Sequence, residues 1–213
     1  MRLDLHTHTY RSGDSTTTIP EYLGGLAAGE IDLAAVTDHL SIEGALELAE
    51  MVPGRIIVGQ EFRVREGELI GLFLTQRIPP ALTAIEAAAV IHAQGGLVYV
   101  PHPGDLGRSS IGDRDLEVLA ATGAIDIIEV ANSKIAPSGW IPIALEACVR
   151  FGIAQGAGSD AHVESAIGST WIECRDRDIA CATDLLEAIA EGEIHTRHLD
   201  PPRAWRARIV PSN

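Results

Sequence analysis

Aromatic residues make up only 4% of the 213-residue chain, and only three residues are cysteine. An odd handful of cysteines (Cys148, Cys174, Cys181) builds no disulfide framework. It predicts reduced, buried thiols and a cytoplasmic chain. Basic residues are also scarce: 16 Lys and Arg stand against 30 Asp and Glu, a net charge of −14. Such acidity argues against a partner of long nucleic acid or a membrane surface, both of which call for basic contacts. No apolar run reaches the roughly 18 residues needed to span a bilayer. No signal peptide is read at the start, where Arg2 and Asp4 lead straight into a His-rich polar stretch. Repeats, low-complexity tracts and linkers are missing too, so one domain over residues 1–213 is expected. Apolar residues, 46% of the chain, recur along its whole length. That excludes disorder and suffices for a core without staples.

What the chain does contain is a regular alternation. Short apolar runs at 2–5, 33–36, 55–59, 68–74, 97–100, 125–130, 153–156 and 169–173 read as strands. Amphipathic, Ala-rich stretches at 20–28, 43–51, 83–93, 115–121, 141–151 and 182–190 read as helices. Thr18 with Glu21 and Thr83 with Glu86 have capping-box spacing, and Gly29, Gly95, Gly123, Gly152 and Gly192 read as helix stops. Alternating strands and helices imply an α/β fold with a mostly parallel sheet, open or closed. The exception is 55–74, where two strand-like runs meet at Arg65-Glu66-Gly67 and predict a hairpin. The segment from Glu193 onward, mixed in charge and proline, is expected to wrap the domain.

Eight histidines offset the scarcity of aromatics. Five of them, His6, His8, His39, His102 and His162, follow predicted strands, as do Glu61 and Asp160, while Asp14 comes eight positions after His6 and Glu68 opens the second strand of the hairpin. In a parallel sheet or barrel these strand ends share one face, the face on which active sites form. Neutral imidazole and carboxylate are ligands for Zn, Mn or Fe, and a carboxylate can bridge two ions. One tetrahedral site needs about four ligands, so nine suggest two or three divalent metal ions. His6 and His8, two apart on an extended segment, point the same way. His92, near a helix C-terminus, reads as structural. His195 and His198 read as solvated. Asp4 and Asp38 either orient imidazoles or hydrogen-bond the backbone, and Trp140, Trp171 and Trp205 read as packing residues.

The motifs Asp4-Leu5-His6-Thr7-His8 with Ser12-Gly13-Asp14, Thr37-Asp38-His39, Pro101-His102-Pro103 and Gly158-Ser159-Asp160-Ala161-His162 resemble, in order, the four motifs of the PHP (polymerase and histidinol phosphatase) family. The resemblance covers about residues 1–170. It implies a distorted (β/α)7 TIM-like barrel with a two- or three-metal site at the strand C-termini. By resemblance, His6, His8, Glu61 and Asp160 hold the first metal. Glu61 bridges to a second, held also by Glu68 and His102, and Asp14, His39 and His162 hold a third. Many members have His where this chain has Glu68, and some have His in place of Asp14. A carboxylate at 68 adds hardness, which favours Mn or Fe over Zn or weakens the second site.

The expected activity is a metal-dependent phosphoesterase (phosphatase or phosphodiesterase) acting on a small phosphorylated metabolite or short nucleotide. His39, Asp160 and His162, with Asp38 beside them, are the expected catalytic positions. Arg108, Lys134 and Arg11, with Arg63 as a further candidate, are the expected substrate-binding cations. Two alternatives stand beside this. One is a metal-dependent hydrolase of a non-phosphate ester or amide, which would depend less on Arg108 and Lys134. The other is a non-catalytic metal-binding regulatory module, which would hold metal without turnover.

Overall fold

The computed structural model describes residues 1–134 and 140–197. His198, Trp205 and most of the expected wrapping segment lie outside the described residues.

Six strands run parallel: β1 (Arg2–Thr7), β2 (Leu33–Val36), β3 (Ile56–Val64), β5 (Leu97–Val100), β6 (Ile127–Asn132) and β7 (Ala154–Gly158). Between them lie α1 (Ile19–Gly29), α2 (Glu43–Met51), α3 (Ala84–Ala93), α4 (Asp113–Ala121) and α5 (Trp140–Phe151). The predicted hairpin is present: β4 (Gly67–Leu72) runs antiparallel between β3 and β5. Gly67 has φ +155°, and a Cβ there would lie 2.6 Å from the Ile111 nitrogen, so the turn requires glycine. Among the described residues the strands are ordered β7-β6-β5-β4-β3-β2-β1, and β8 (Thr170–Glu173) and β9 (Glu193–Thr196) are added antiparallel beyond β1. Glu193–Thr196, expected to wrap, therefore forms an edge strand.

The sheet closes on itself at one end. Asp160 N donates to His6 O at 2.7 Å, and His8 N donates to Ala161 O at 3.0 Å. Gly158 permits this, because a Cβ on it would lie 2.3 Å from His6 Cβ. At the other end β8 wedges against β1 through Arg2↔Glu173 and Leu3↔Ile172. The result is a distorted seven-stranded TIM-like barrel. Inside it, Leu3, Leu5, Ile57, Ile70, Leu72, Leu97, Tyr99 and Ile127 pack against Leu185, Ala188 and Ile189 of α6 (Ala182–Ala190), which stoppers the N-terminal end of the strands. Outside it, α1 and α2 cover β2 with one apolar layer, and α3, α4 and α5 cover β3 to β6 with another.

The capping boxes form as expected: Glu21 accepts from Thr18 N and Glu86 from Thr83 N, each at 2.8 Å. Two of the predicted stops work differently. Gly29 is the last helical residue of α1, and Glu30 takes the left-handed turn at φ 56°. Gly192 is required by close approach, since a Cβ would lie 2.4 Å from Ile172. No helix among the described residues is long and apolar enough to cross a membrane.

Candidate metal centre

The barrel interior changes chemistry towards the C-terminal ends of the parallel strands. On β3, Ile57 and Glu61 share one side of the strand, since side chains repeat every two residues; the same holds for Ile127 and Glu129 on β6. Inward positions thus turn from aliphatic to carboxylate as the strand climbs. On β1 the register shifts between Asp4 and Thr7. This bulge changes the parity, so His6 and His8 follow Leu5 into the interior while Thr7 bonds outward to Tyr22. β4 runs the other way, so Glu68, near its start, arrives at the same end. Glu61 departs from the expected strand-end position. It lies within β3, opposite Ile70, because pairing with β4 continues past Val58, where pairing with β2 ends.

Four groups of ligand atoms overlap there, each drawn within 4.8 Å: His6, His8 and Glu61; His6, His102 and Asp160; Glu61, Glu68 and His102; and His8, Asp14, His39 and His162. Glu61 Oε2 lies 3.3 Å from both His6 Nε2 and His8 Nε2, and its Oε1 lies 3.2 Å from His102 Nε2. Asp14 Oδ2 lies 3.3 Å from His39 Nε2 and 3.1 Å from His162 Nε2. Asp160 Oδ1 lies 3.4 Å from both His8 Nε2 and His162 Nδ1. His102 and Asp160 hold left-handed backbone, φ 31° and 52°. Such conformations cost about 1–3 kcal/mol each and persist when the surroundings fix them. Here Glu129 accepts from His102 N at 2.7 Å, and His6 O accepts from Asp160 N.

These residues fit divalent cations. His6 Nδ1 donates to Glu129 Oε1 at 3.1 Å and so turns Nε2 to the centre. There, against its burial, the carboxylates of Asp160, Glu61 and Glu129 raise the ring's proton affinity well above the ordinary range, a positive charge that a metal ion would replace. His6 Nε2 faces His8 Nε2 at 3.1 Å, two imidazole nitrogens aimed at one point. Burial, with His162 nearby, pushes His8 down to about 4, so its ring is neutral and able to ligate. Asp14 Oδ1 is buried without a hydrogen-bond partner, an arrangement that costs free energy unless a cation answers it. Burial works against charge on Glu61 and Asp160, yet neighbouring cationic groups hold both well below the ordinary carboxylate range.

Above the cluster lies a cavity of about 310 Å³, whose walls include Arg63, Arg108 and Lys134. Arg108 forms a tight ion pair with Asp160, and Lys134 Nζ lies 3.2 Å from Asp160 Oδ1. Burial pulls Lys134 below its ordinary range.

Residues 142–194 match the model of a family described as PHP-associated. An uncharacterized protein of Methanocaldococcus jannaschii is 32% identical over 187 residues, which is 87% of this chain and 75% of that one. The chain belongs to the PHP family. The same fold appears in a two-domain protein of Bacteroides vulgatus described as containing a predicted PHP-like metal-dependent phosphoesterase. The two are 17% identical with a TM-score of 0.75, over 92% of this chain and 65% of that one, so this chain spans just under two thirds of that protein. An amidohydrolase of Chromobacterium violaceum, with bound sulfate and no metal, shares the fold at 20% identity and a TM-score of 0.61, over 93% and 98% of the two chains.

Against this PHP frame the expected site residues sort clearly. His6, His8, Asp14, His39, Glu61, Glu68, His102, Asp160 and His162 all come together. Asp38 does not face the cluster: its carboxylate accepts from Thr9 N and Thr9 Oγ1, both at 2.6 Å, and fixes the loop that follows His8. Asp4 likewise bonds Ser159 N, Ser159 Oγ and Gly168 N rather than an imidazole. Arg11 lies away from the cavity, over the Tyr10 ring and 3.3 Å from Glu47. His92 pairs with Asp126 at 2.8 Å. His195 stacks on Trp171 at 5.1 Å rather than standing in solvent.

Glu129 stands outside the expected set. It accepts from His6 Nδ1, Tyr99 Oη, His102 N and Asn132 Nδ2, so it orients two imidazole-bearing segments at once. Its signal was present, as one carboxylate inside the apolar run Ile127-Ile128-Glu129-Val130.

Proposed function

We propose that the chain is a metal-dependent phosphoesterase acting on a small phosphorylated metabolite or short nucleotide. The observation that carries this reading is the overlap of the four ligand groups beneath a cavity walled by Arg63, Arg108 and Lys134. His6, His8, Glu61 and Asp160 would hold one metal, Glu61, Glu68 and His102 a second, and Asp14, His39 and His162 a third. Bound there, divalent ions lower the pKa of a water and polarise a phosphoryl oxygen.

The protein's own groups do the rest. Glu129 holds His6 in the tautomer that presents Nε2 to the centre. Arg108 and Lys134, already drawn to Asp160, are placed to take the non-bridging oxygens of a phosphoryl group. Arg63, 75% exposed and 3.2 Å from Glu68, stands at the mouth to meet the incoming anion. Asp38 acts as a positioning residue through Thr9 rather than as a catalytic one.

The fold likeness to an amidohydrolase keeps carbonyl hydrolysis as the second reading, and the cationic wall is what favours phosphorus. Phosphate release should be measured over a panel of phosphate mono- and diesters, on chelated protein and again after loading with Mn²⁺, Zn²⁺ or Fe²⁺. The reading expects release that chelation abolishes and metal restores. A loaded protein that cleaves carboxylic esters or amides and no phosphate ester would overturn it.

A further inference from the structure

Next to the cationic cavity lies a second hollow of about 640 Å³, within the roughly 300–1,000 Å³ typical of small-molecule sites. The two share the wall that carries Asp14, His39 and Glu61. Away from that wall the hollow is lined by Leu40, Pro80 and Ala81, with Ser12, Arg63 and Arg65 at the side, while Phe62 and Val64 of the same strand turn their side chains into the core. Leu40, Pro80 and Ala81 offer no hydrogen bond to a sugar or polyol, but they do offer apolar contact.

Two of the three stand in costly places. Leu40 directly follows His39, is 57% exposed, and has φ 58°. Ala81 has φ 67°. Left-handed backbone is unfavourable for both residues, and Gly or Asn would relieve it. The apolar core does not account for Leu40, since more than half of its surface faces solvent. Leu40 N donates to Glu61 O at 3.2 Å, so the strand beside it holds this strained backbone and sets the exposed leucine on the lip of the site, a placement that suits contact with a ligand.

We infer that this hollow receives the alcohol portion of the substrate, and that this alcohol is bulky and apolar, of the aryl or arylalkyl class. The inference rests on the phosphoesterase reading above. The reaction consumes one water, breaks the bond from phosphorus to the alcohol oxygen and returns a proton to that oxygen. The apolar body therefore departs as a neutral alcohol, and the phosphate stays with the cations.

The test compares 2-phenylethyl phosphate with ethyl phosphate, whose primary alcohols are of similar acidity, so the ratio reads contact rather than leaving-group chemistry. On metal-loaded wild-type protein, kcat/KM should favour the phenyl ester by at least about tenfold, the effect of burying a side chain of that size. Calorimetric titration with 2-phenylethylphosphonate and ethylphosphonate, neither of which is cleaved, should show the same preference in Kd. Leu40→Asn removes the apolar wall with a residue that tolerates φ 58°, so its Tm should hold or rise while the preference falls severalfold. Ala81→Asn provides the same check at a second apolar position of the hollow. Equal use of both esters would overturn the inference and leave the phosphoesterase reading standing, as would a preference unchanged in both variants. Cleavage of neither ester by loaded protein would overturn both.

Discussion

The two ends of the barrel use the same strands and opposite chemistry. At the N-terminal end Leu3, Leu5, Ile57, Leu72, Leu97 and Ile127 meet the apolar face of α6. At the C-terminal end the same strands carry His6, His8, Glu61, Glu68 and Glu129, all buried. Burying aliphatic surface contributes roughly 25 cal/mol per Å², so the first end supplies stability and asks for nothing else. Burying imidazoles and carboxylates costs free energy unless partners are found. The second end answers part of that cost with hydrogen bonds such as those on Glu129, and leaves the remainder, including Asp14 Oδ1, for cations. One end holds the fold and the other uses it.

Substitutions at the two ends should therefore separate stability from activity. The largest effect is expected from Asp160→Asn, which removes a carboxylate shared by His6, His8, Arg108 and Lys134. Phosphate release should fall by about three orders of magnitude or more, as when one member of a cooperating catalytic unit is removed. Circular dichroism should show the fold retained. Leu72→Ala, at the opposite end and fully buried, should show the converse. It should cost about 2–5 kcal/mol in denaturant unfolding, with metal content and specific activity of the folded protein kept.

Smaller effects sharpen the boundary between the ends. Glu129→Gln keeps the shape but weakens the acceptor for His6, so metal affinity should fall about 10–100-fold, read by competition with a chelating dye. Arg108→Ala should raise KM for a phosphate ester about tenfold or more with metal content unchanged, and Arg11→Ala should leave KM where it was.

The smallest effect concerns pH. Burial pushes Asp4 up to about 6, against the hydrogen bonds from Ser159 and Gly168 that favour its charge. The folded state therefore binds this proton more tightly than the unfolded state does. Its contribution to stability is greatest at low pH and declines as pH rises from about 4 to about 6. Asp4→Asn should remove that slope from the unfolding profile and leave the slopes of other groups in place.

Much of this layout was legible in the sequence, for physical reasons that also mark the limits. Strand and helix positions follow from periodicity and capping, and His6, His8, His39, His102, Asp160 and His162 stand out because titratable residues at strand ends share one face. Residues whose role depends on the parity of a neighbouring strand were harder to read. Glu129 looks like any acid in a strand until the barrel closes and puts it under His6. Asp38 looks like a catalytic acid until the loop after His8 turns back and delivers Thr9 to it. Arg11 and Lys134 are equivalent in sequence, and only the fold places Lys134 beside Asp160 and Arg11 beside Glu47. The Leu40 hollow depends on backbone angles that no local pattern announces.

Whether the C-terminal end is built for metal is tested most directly by counting ions. Chelated wild-type protein, saturated with Mn²⁺ and freed of excess, should carry two or three ions per chain by elemental mass spectrometry. Glu61 belongs to two of the ligand groups, so Glu61→Gln should lose more than one of those ions in a single substitution. A wild-type chain holding less than one equivalent, or a Glu61→Gln chain holding as many ions as wild type, would contradict the account.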